Sequence, residues 1–340
     1  MADDLSPDGA PFHGRWWTPN DPDHVVGGRL ELSGGAWGLT LYGWLGPWGG
    51  ARADNQIPAC VHGHVGTTPV TLLDTVSGGQ KWTNDGPPYE ARLWANTVLA
   101  GVHADDATLF KSASVRLLHL NEWANRSPWS YPSGDPEGPL AHSVTFTDSD
   151  DLIANLPGGR GTLWRSWGQS GGGLSRVTLD SDERVQFDFD QPIDLETVER
   201  DYVRPLRSLI ELAAAEPSAT LEMRVTPAGA DEFTSGAAVL SAVARDAPDP
   251  KYSFHMLFRL QDVEFEAVLP AWWRLHSEVG IVSDLLARLR DRGHVGAHIL
   301  SAASAIEAYH RRATAKRRPR STSSASGGSS PRPQQATASG

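Results

Sequence analysis

Cysteine occurs once in 340 residues, at Cys60. A lone thiol excludes an internal disulfide framework and fits a reducing compartment. No stretch approaches eighteen consecutive apolar residues, which excludes a membrane-spanning helix. The first seventeen residues start acidic and lack the apolar core of a secretory signal, so the expected location is cytoplasmic. Basic charge is scarce in most of the chain. Seven of the 30 Lys and Arg residues fall in 311–340, where there is no acid, leaving 23 against 41 acids in 1–310, a formal charge of −18. A body that acidic repels a phosphate backbone, so neither nucleic acid nor a membrane is its expected partner. What is present is globular in kind: 39% apolar against 21% charged residues, with thirteen Trp. Trp packs well on a pleated surface, which assigns most of the thirteen to a β-sheet core.

The order of segments predicts an α+β fold: two mostly antiparallel, sandwich-like β lobes with an inserted helix, then a short helical segment and a disordered tail. Residues 1–13 read as a flexible leader. From 14 to 135, short apolar segments broken by Gly, Pro and Asn form the first lobe. Within it, 28–32 and 37–42 alternate across a Ser33-Gly34-Gly35 turn, the pattern of a hairpin. Further strands are expected at 57–65, 70–75, 97–102 and 115–120. The second β-rich lobe spans 140–275, with strands at 143–146, 177–179, 185–189, 221–225 and 254–260 and glycine-rich turns at 157–161 and 171–173. Its helix runs over 194–216, where Leu195, Val198, Tyr202, Leu206, Leu209, Ile210 and Ala213 recur every three or four residues. Asp194 suits the N-cap, and Pro205 must kink the helix or split it. Helices follow at 263–275, 281–292 and 298–312, the helical C-terminal segment being 276–312. Residues 313–340 are Ser, Ala, Gly, Pro and Arg without periodicity, a disordered basic tail.

Few residues present chemistry. Cys60, His62 and His64 alternate, and one face of a strand presents such residues together, as a zinc site requires. Same-face neighbours lie about 7 Å apart, however, so three ligands converge only with a bulge at Gly63. The plainer reading, small polar residues along one sheet face, is preferred, and no metal is assigned. The glycine-rich turns match neither the phosphate-binding loop nor the dinucleotide fingerprint, and no Gly-x-Ser-x-Gly elbow frames a nucleophile. Carboxylate pairs at Asp105-Asp106, Asp150-Asp151 and Asp182-Glu183 read as solvated turns. Trp16, Trp17, Trp44 and Trp48, if exposed, would suit a carbohydrate-binding β-sandwich. Two Arg-x5-His spacings, Arg288 to His294 and Arg292 to His298, suit a helical ribonuclease, yet two letters recur by chance.

Three segments taken together resemble the ApeA N-terminal domain, found ahead of HEPN ribonuclease domains in anti-phage proteins. They are Gly14-Arg-Trp-Trp with Gly28-Arg-Leu-Glu-Leu and Val61-His-Gly leading to Val70-Thr-Leu-Leu; Leu206-Arg-Ser-Leu-Ile-Glu-Leu in the helix; and 256–266 through Leu269-Pro-Ala-Trp-Trp. Ile306-Glu-Ala-Tyr-His310 resembles the opening helix of the HEPN part. The resemblance implies a defence protein whose N-terminal region recognises a phage protein and whose HEPN domain cleaves RNA. In the family the nuclease Arg and His lie late in a long helical bundle; here the matching helix passes into Arg317-Arg-Pro-Arg, as a truncation or frameshift would leave it. The catalytic roles are therefore not carried onto Arg288, His294, Arg292 or His298. The expectation is a sensor region without catalytic, cofactor or metal residues, self-associating through its C-terminal helices. Two alternatives stay open: the carbohydrate-binding module, and a minimal ribonuclease using Arg288 and His294.

Overall fold

The computed structural model describes residues 5, 11–33, 35–46, 57–82, 87–130, 145–173, 176–230, 236–240, 255–288, 306–307 and 311, with backbone alone at 170–173, 176–177 and 279–288. Every strand pairing among them is antiparallel. Six strands open the chain: β1 (Phe12–Thr18), β2 (Asp21–Ser33), β3 (Ala36–Leu41), β4 (Val61–Val65), β5 (Thr68–Lys81) and β6 (Glu90–Ala100). The expected hairpin is β2–β3, turning where Ser33 pairs Ala36 and Gly35 takes φ +79°. Pairing then runs β6-β3-β2-β1-β4-β5 and returns from β5 to β6. The first lobe is thus a closed barrel, which leaves these strands no open edge along the ring.

Trp16 fills this barrel. It is fully buried, and it pairs with Gly63 on β4 and Val26 on β2. A Cβ on Gly63 would overlap the Trp16 ring, and one on Gly28 would lie 2.9 Å from it. Burying an indole of 150–250 Å² contributes roughly 4–6 kcal/mol of transfer free energy. The motifs around Gly14, Trp16, Gly28 and Gly63 are therefore one packing unit. Leu30, Leu39, Val61, Leu72, Leu93 and Val98 complete the barrel core.

The second sheet begins with β7 (Phe110–Leu117), which follows the barrel strands in sequence but pairs with none of them. After a short helix α1 (Leu120–Ala124) and a two-strand ribbon, β8 (Trp129–Ser130) with β9 (Thr145–Phe146), come β10 (Leu152–Leu156), β11 (Gly159–Gly173) and β12 (Arg176–Ile193). The glycine-rich segment at 157–161 is the β10–β11 turn, with Gly158 at φ +77°. β13 (Thr220–Pro227) and β14 (Ala237–Val239) finish the sheet, in the order β10-β11-β12-β7-β13-β14. β14 then pairs β6, Ala238 with Ala100 and Val239 with Leu99, so the second sheet continues from the barrel wall.

Helices cover one face of this sheet. Asp194 caps as expected, accepting from Thr197 N at 2.7 Å. The predicted 194–216 helix is three pieces: α2 (Leu195–Val198), a π turn (Glu199–Val203) and α3 (Arg204–Ala214). Pro205 explains the break. It has no N–H to continue the ladder, and its ring crowds the preceding turn, which the wider π turn relieves. The Asp201 carbonyl in that turn accepts from Trp273 Nε1 at 2.9 Å, and Pro205 O accepts from Trp272 Nε1 at 2.7 Å. The Trp272-Trp273 pair thus lies on α4 (Phe265–Arg288) to close a proline-broken helix. Two expectations need correction here. Residues 255–260 form no strand: Arg259 N donates to Asp262 Oδ2 at 2.7 Å and draws the chain into a 3₁₀ turn at Leu260–Asp262. The helices expected at 263–275 and 281–292 are continuous to Arg288, because Gly280 costs only about 1 kcal/mol in a helix and does not break it. The tail at 313–340 lies outside the described residues.

Candidate functional site

The barrel and the helix-backed sheet enclose a cleft of about 1260 Å³. Its helix wall is the polar stripe of α2, the π turn and α3, whose apolar stripe, Val198, Tyr202, Leu206, Leu209 and Ile210, is buried in the core. Glu196, Arg200, Arg204, Arg207 and Glu211 recur along that stripe and line the cleft. Arg207 pairs with Glu199 at 3.3 Å, and Arg200 with Asp201 at 2.7 Å. The floor is apolar, with Trp37, Leu73, Met223, Val239 and Leu240. In all, seven carboxylates and three guanidiniums border the space.

The barrel wall carries Asp74 and the Asp105-Asp106 loop. Asp74 sits within β5 at φ +52°, where pairing steps from Leu73–Thr97 to Thr75–Ala95 without joining Asp74 to Asn96. Asp is among the few side chains that tolerate this left-handed backbone, and such interruptions of a ladder re-aim a side chain. Here the exposed carboxylate faces the cleft. Asp105 is consumed locally, its Oδ1 accepting from Ala107 N at 3.1 Å and Thr108 Oγ1 at 2.8 Å. Among the described residues Asp74 and Asp106 have no basic partner.

The loop that presents Asp105 and Asp106 is held by the residues weighed as metal ligands. His62 shares a 2.8 Å hydrogen bond with Ala104 O, and Thr71 Oγ1 bridges Val102 O and Ala104 N at 3.1 Å each. His103 reaches back to Gly63 O at 3.0 Å. Its ring stacks on His62 with centroids 4.7 Å apart and lies 5.0 Å from His64, while Trp17 packs against His64 and His103. Burial holds His62 below the ordinary imidazole range, against its bond to Ala104 O and with some help from the charge of His103. Burial likewise lowers His64, with His103 and Arg15 adding to it. Cys60 is pushed up to about 12 by burial and by Asp106 and Asp105, so its thiol stays protonated. Among the described residues no three His, Cys, Asp or Glu side chains are arranged to hold a metal.

Other sequence candidates scatter. Trp16 and Trp44 are buried rather than displayed, Trp17 is half-buried, and Trp48 lies outside the described residues. Glu183 corrects the expectation of a solvated turn: it lies within β12, 4% exposed, and pairs with Arg165 at 2.7 Å and Arg126 at 3.3 Å. Burial pushes its carboxyl up while both guanidiniums pull it down. Asp150 and Asp151 are exposed. Arg288 ends α4, and Arg292, His294 and His298 lie outside the described residues. Sequence reasoning did not find Asp74 or the Arg-bearing helix stripe as one site. The stripe was readable as the polar side of an amphipathic helix, but nothing local pairs it with β5.

These features define a class: a closed antiparallel barrel continued through the β6–β14 pairing into a helix-backed sheet, with a charged cleft at the junction. Residues 11–272 match the family of ApeA N-terminal domain 1, and the chain belongs to that family. The match begins beside β1 and ends inside α4 at Trp272, so it spans both sheets and the cleft. No curated protein and no solved structure matches the chain. Among the described residues no helix is long and apolar enough to cross a membrane.

Proposed function

We propose that the chain is the recognition region of an ApeA-like anti-phage protein. It acts in the cytoplasm, its cleft receives a phage-encoded protein, and it has no nuclease site of its own. The observation that carries the reading is the cleft, a space of about 1260 Å³ with a charged rim and an apolar floor, in a chain of this family. An apolar floor supplies affinity and charged walls supply orientation and discrimination. The α4 helix passes the binding event to an effector. The carbohydrate reading loses support, since Trp16 and Trp44 are core residues.

Calorimetric titration of the full chain with individually purified proteins from a phage panel tests this. One of them binds at about micromolar Kd or tighter, and the pair Arg200→Glu with Arg204→Glu weakens it about tenfold or more. Absence of binding across the panel, or binding indifferent to those changes, overturns the recognition role. RNA incubated with the chain stays intact; degradation abolished by His294→Ala would overturn the non-catalytic part.

A further inference from the structure

We infer that the cleft is also the docking site of the chain's own basic segment, residues 312–332. Two observations meet in this assignment. The cleft is bordered by seven carboxylates and three guanidiniums, and two of those guanidiniums are already paired, Arg207 with Glu199 and Arg200 with Asp201. That leaves a net negative space whose barrel wall bears Asp74 and Asp106 without a cation among the described residues. Independently, 312–332 carries Arg312, Lys316, Arg317, Arg318, Arg320 and Arg332 and no acid, in a chain whose first 310 residues carry −18. The segment's remaining residues are small or polar. It therefore offers charge and little apolar surface, which suits the rim of the cleft and leaves its floor for another ligand.

Tethering selects this occupant over a free cationic peptide. Exposed ion pairs are individually weak, so an untethered peptide of the same charge is held poorly. Lys316 lies five residues past Arg311, the last described residue. That tether spans at most about 17 Å when extended. A linker of this kind raises the local concentration of its cargo to roughly the millimolar range. For its consequence the inference rests on the recognition reading above. A segment held by charge alone is a resting occupant, displaced when a tighter ligand uses the apolar floor as well.

Carbodiimide coupling of the intact chain, followed by peptide mass spectrometry, reads the contact directly, since the reagent joins a lysine amine only to a carboxylate touching it. Lys316 is the sole amine in the segment. The expected product joins Lys316 to Asp74 or Asp106. Its yield falls about tenfold at about 1 M salt, where the screening length is about 3 Å, and equally in Arg317→Glu/Arg318→Glu/Arg320→Glu, which leaves barrel and helices untouched. The Lys81–Glu90 pair, 2.6 Å apart on neighbouring strands, couples in every sample as the internal control. Lys316 joined to carboxylates scattered over the surface, or to none while the control couples, overturns the inference. So does a Lys316 product of twice the chain's mass, which assigns the segment to a second copy. Lys316 found at Asp74 or Asp106 in a chain that binds no phage protein supports docking and removes recognition. Phage binding with Lys316 elsewhere does the reverse.

Discussion

Trp16 fills the barrel because neighbouring strands withdraw their side chains around it. At Gly63 a methyl group has nowhere to go, since the Trp16 ring lies over that backbone, whereas a Cβ on Gly27 meets nothing nearer than Tyr42 at 3.9 Å. Gly63→Ala is therefore expected to cost about 1–3 kcal/mol, the range for overpacking, and Gly27→Ala far less. Urea denaturation of both variants decides it, and equal midpoints would remove the packing argument. Cys60 makes a second prediction at this scale. With its pKa raised from 9.0 to about 12, the thiol holds about a thousandfold less thiolate than an ordinary cysteine near pH 8. Alkylation of the native chain by iodoacetamide should be slower by a similar factor and recover on unfolding in urea. Fast native alkylation would contradict the assigned environment.

At the scale of elements, the Leu269-Pro-Ala-Trp-Trp segment acquires a structural explanation. Trp273 donates to Asp201 O, in the turn that Pro205 disrupts, which couples the two residues although they are 68 positions apart. Trp273→Phe should cost about 1–3 kcal/mol by stranding Asp201 O. Pro205→Ala restores an N–H able to serve that carbonyl, so the same Trp273→Phe change should cost measurably less in its background. A double-mutant cycle with no coupling would sink the account. Much of this level was legible in the sequence. The β2–β3 hairpin, the Asp194 cap and the disruption at Pro205 follow from local chemistry. The 3₁₀ turn at Leu260–Asp262 was not legible, because an apolar run of seven residues fits a strand until Asp262 captures the Arg259 amide. Glu183 was missed for a related reason: its partners Arg126 and Arg165 are distant in sequence, and only sheet register brings them together. Glu222 adds a pH test. Burial opposes its charge, yet hydrogen bonds and charge from Arg184 and Arg224 hold it near pKa 2. A carboxylate depressed in the folded state stabilises above its unfolded pKa, and that contribution fades as pH falls from about 4.5 towards 2. Denaturant midpoints measured at pH 5 and pH 3 should drop more for the native chain than for Glu222→Gln; parallel drops would show Glu222 to be uninvolved.

The whole molecule turns on closure, which no local pattern encodes. Period-two strands were readable in the first lobe, but whether β5 returns to β6 depends on twist and register accumulated over six strands. The cleft was illegible for the same reason, because its walls, Asp74 on β5 and Arg204 on α3, meet only after the barrel shuts and β14 joins it to the second sheet. That joint is narrow. β14 has three residues, and Ala238 is in register with Arg224 on one side and Ala100 on the other. Leu240 N adds a bond to Val98 O at 2.8 Å. Whichever neighbour the Ala238 amide serves, Ala238→Pro removes a ladder bond in the middle of the joint, a change worth about 3 kcal/mol or more. The barrel ring does not need β14, and β7, β12 and β13 retain one another, so both halves should outlast the seam. The expected result is that one urea transition in the native chain becomes two in Ala238→Pro. Hydrogen exchange should then show early loss of protection at Ala100 and Val225 while β1 to β4 stay protected. A single transition in the variant, coincident by fluorescence and circular dichroism, would mean that the two sheets are held together by their shared core across Leu73 and Leu99 rather than by β14.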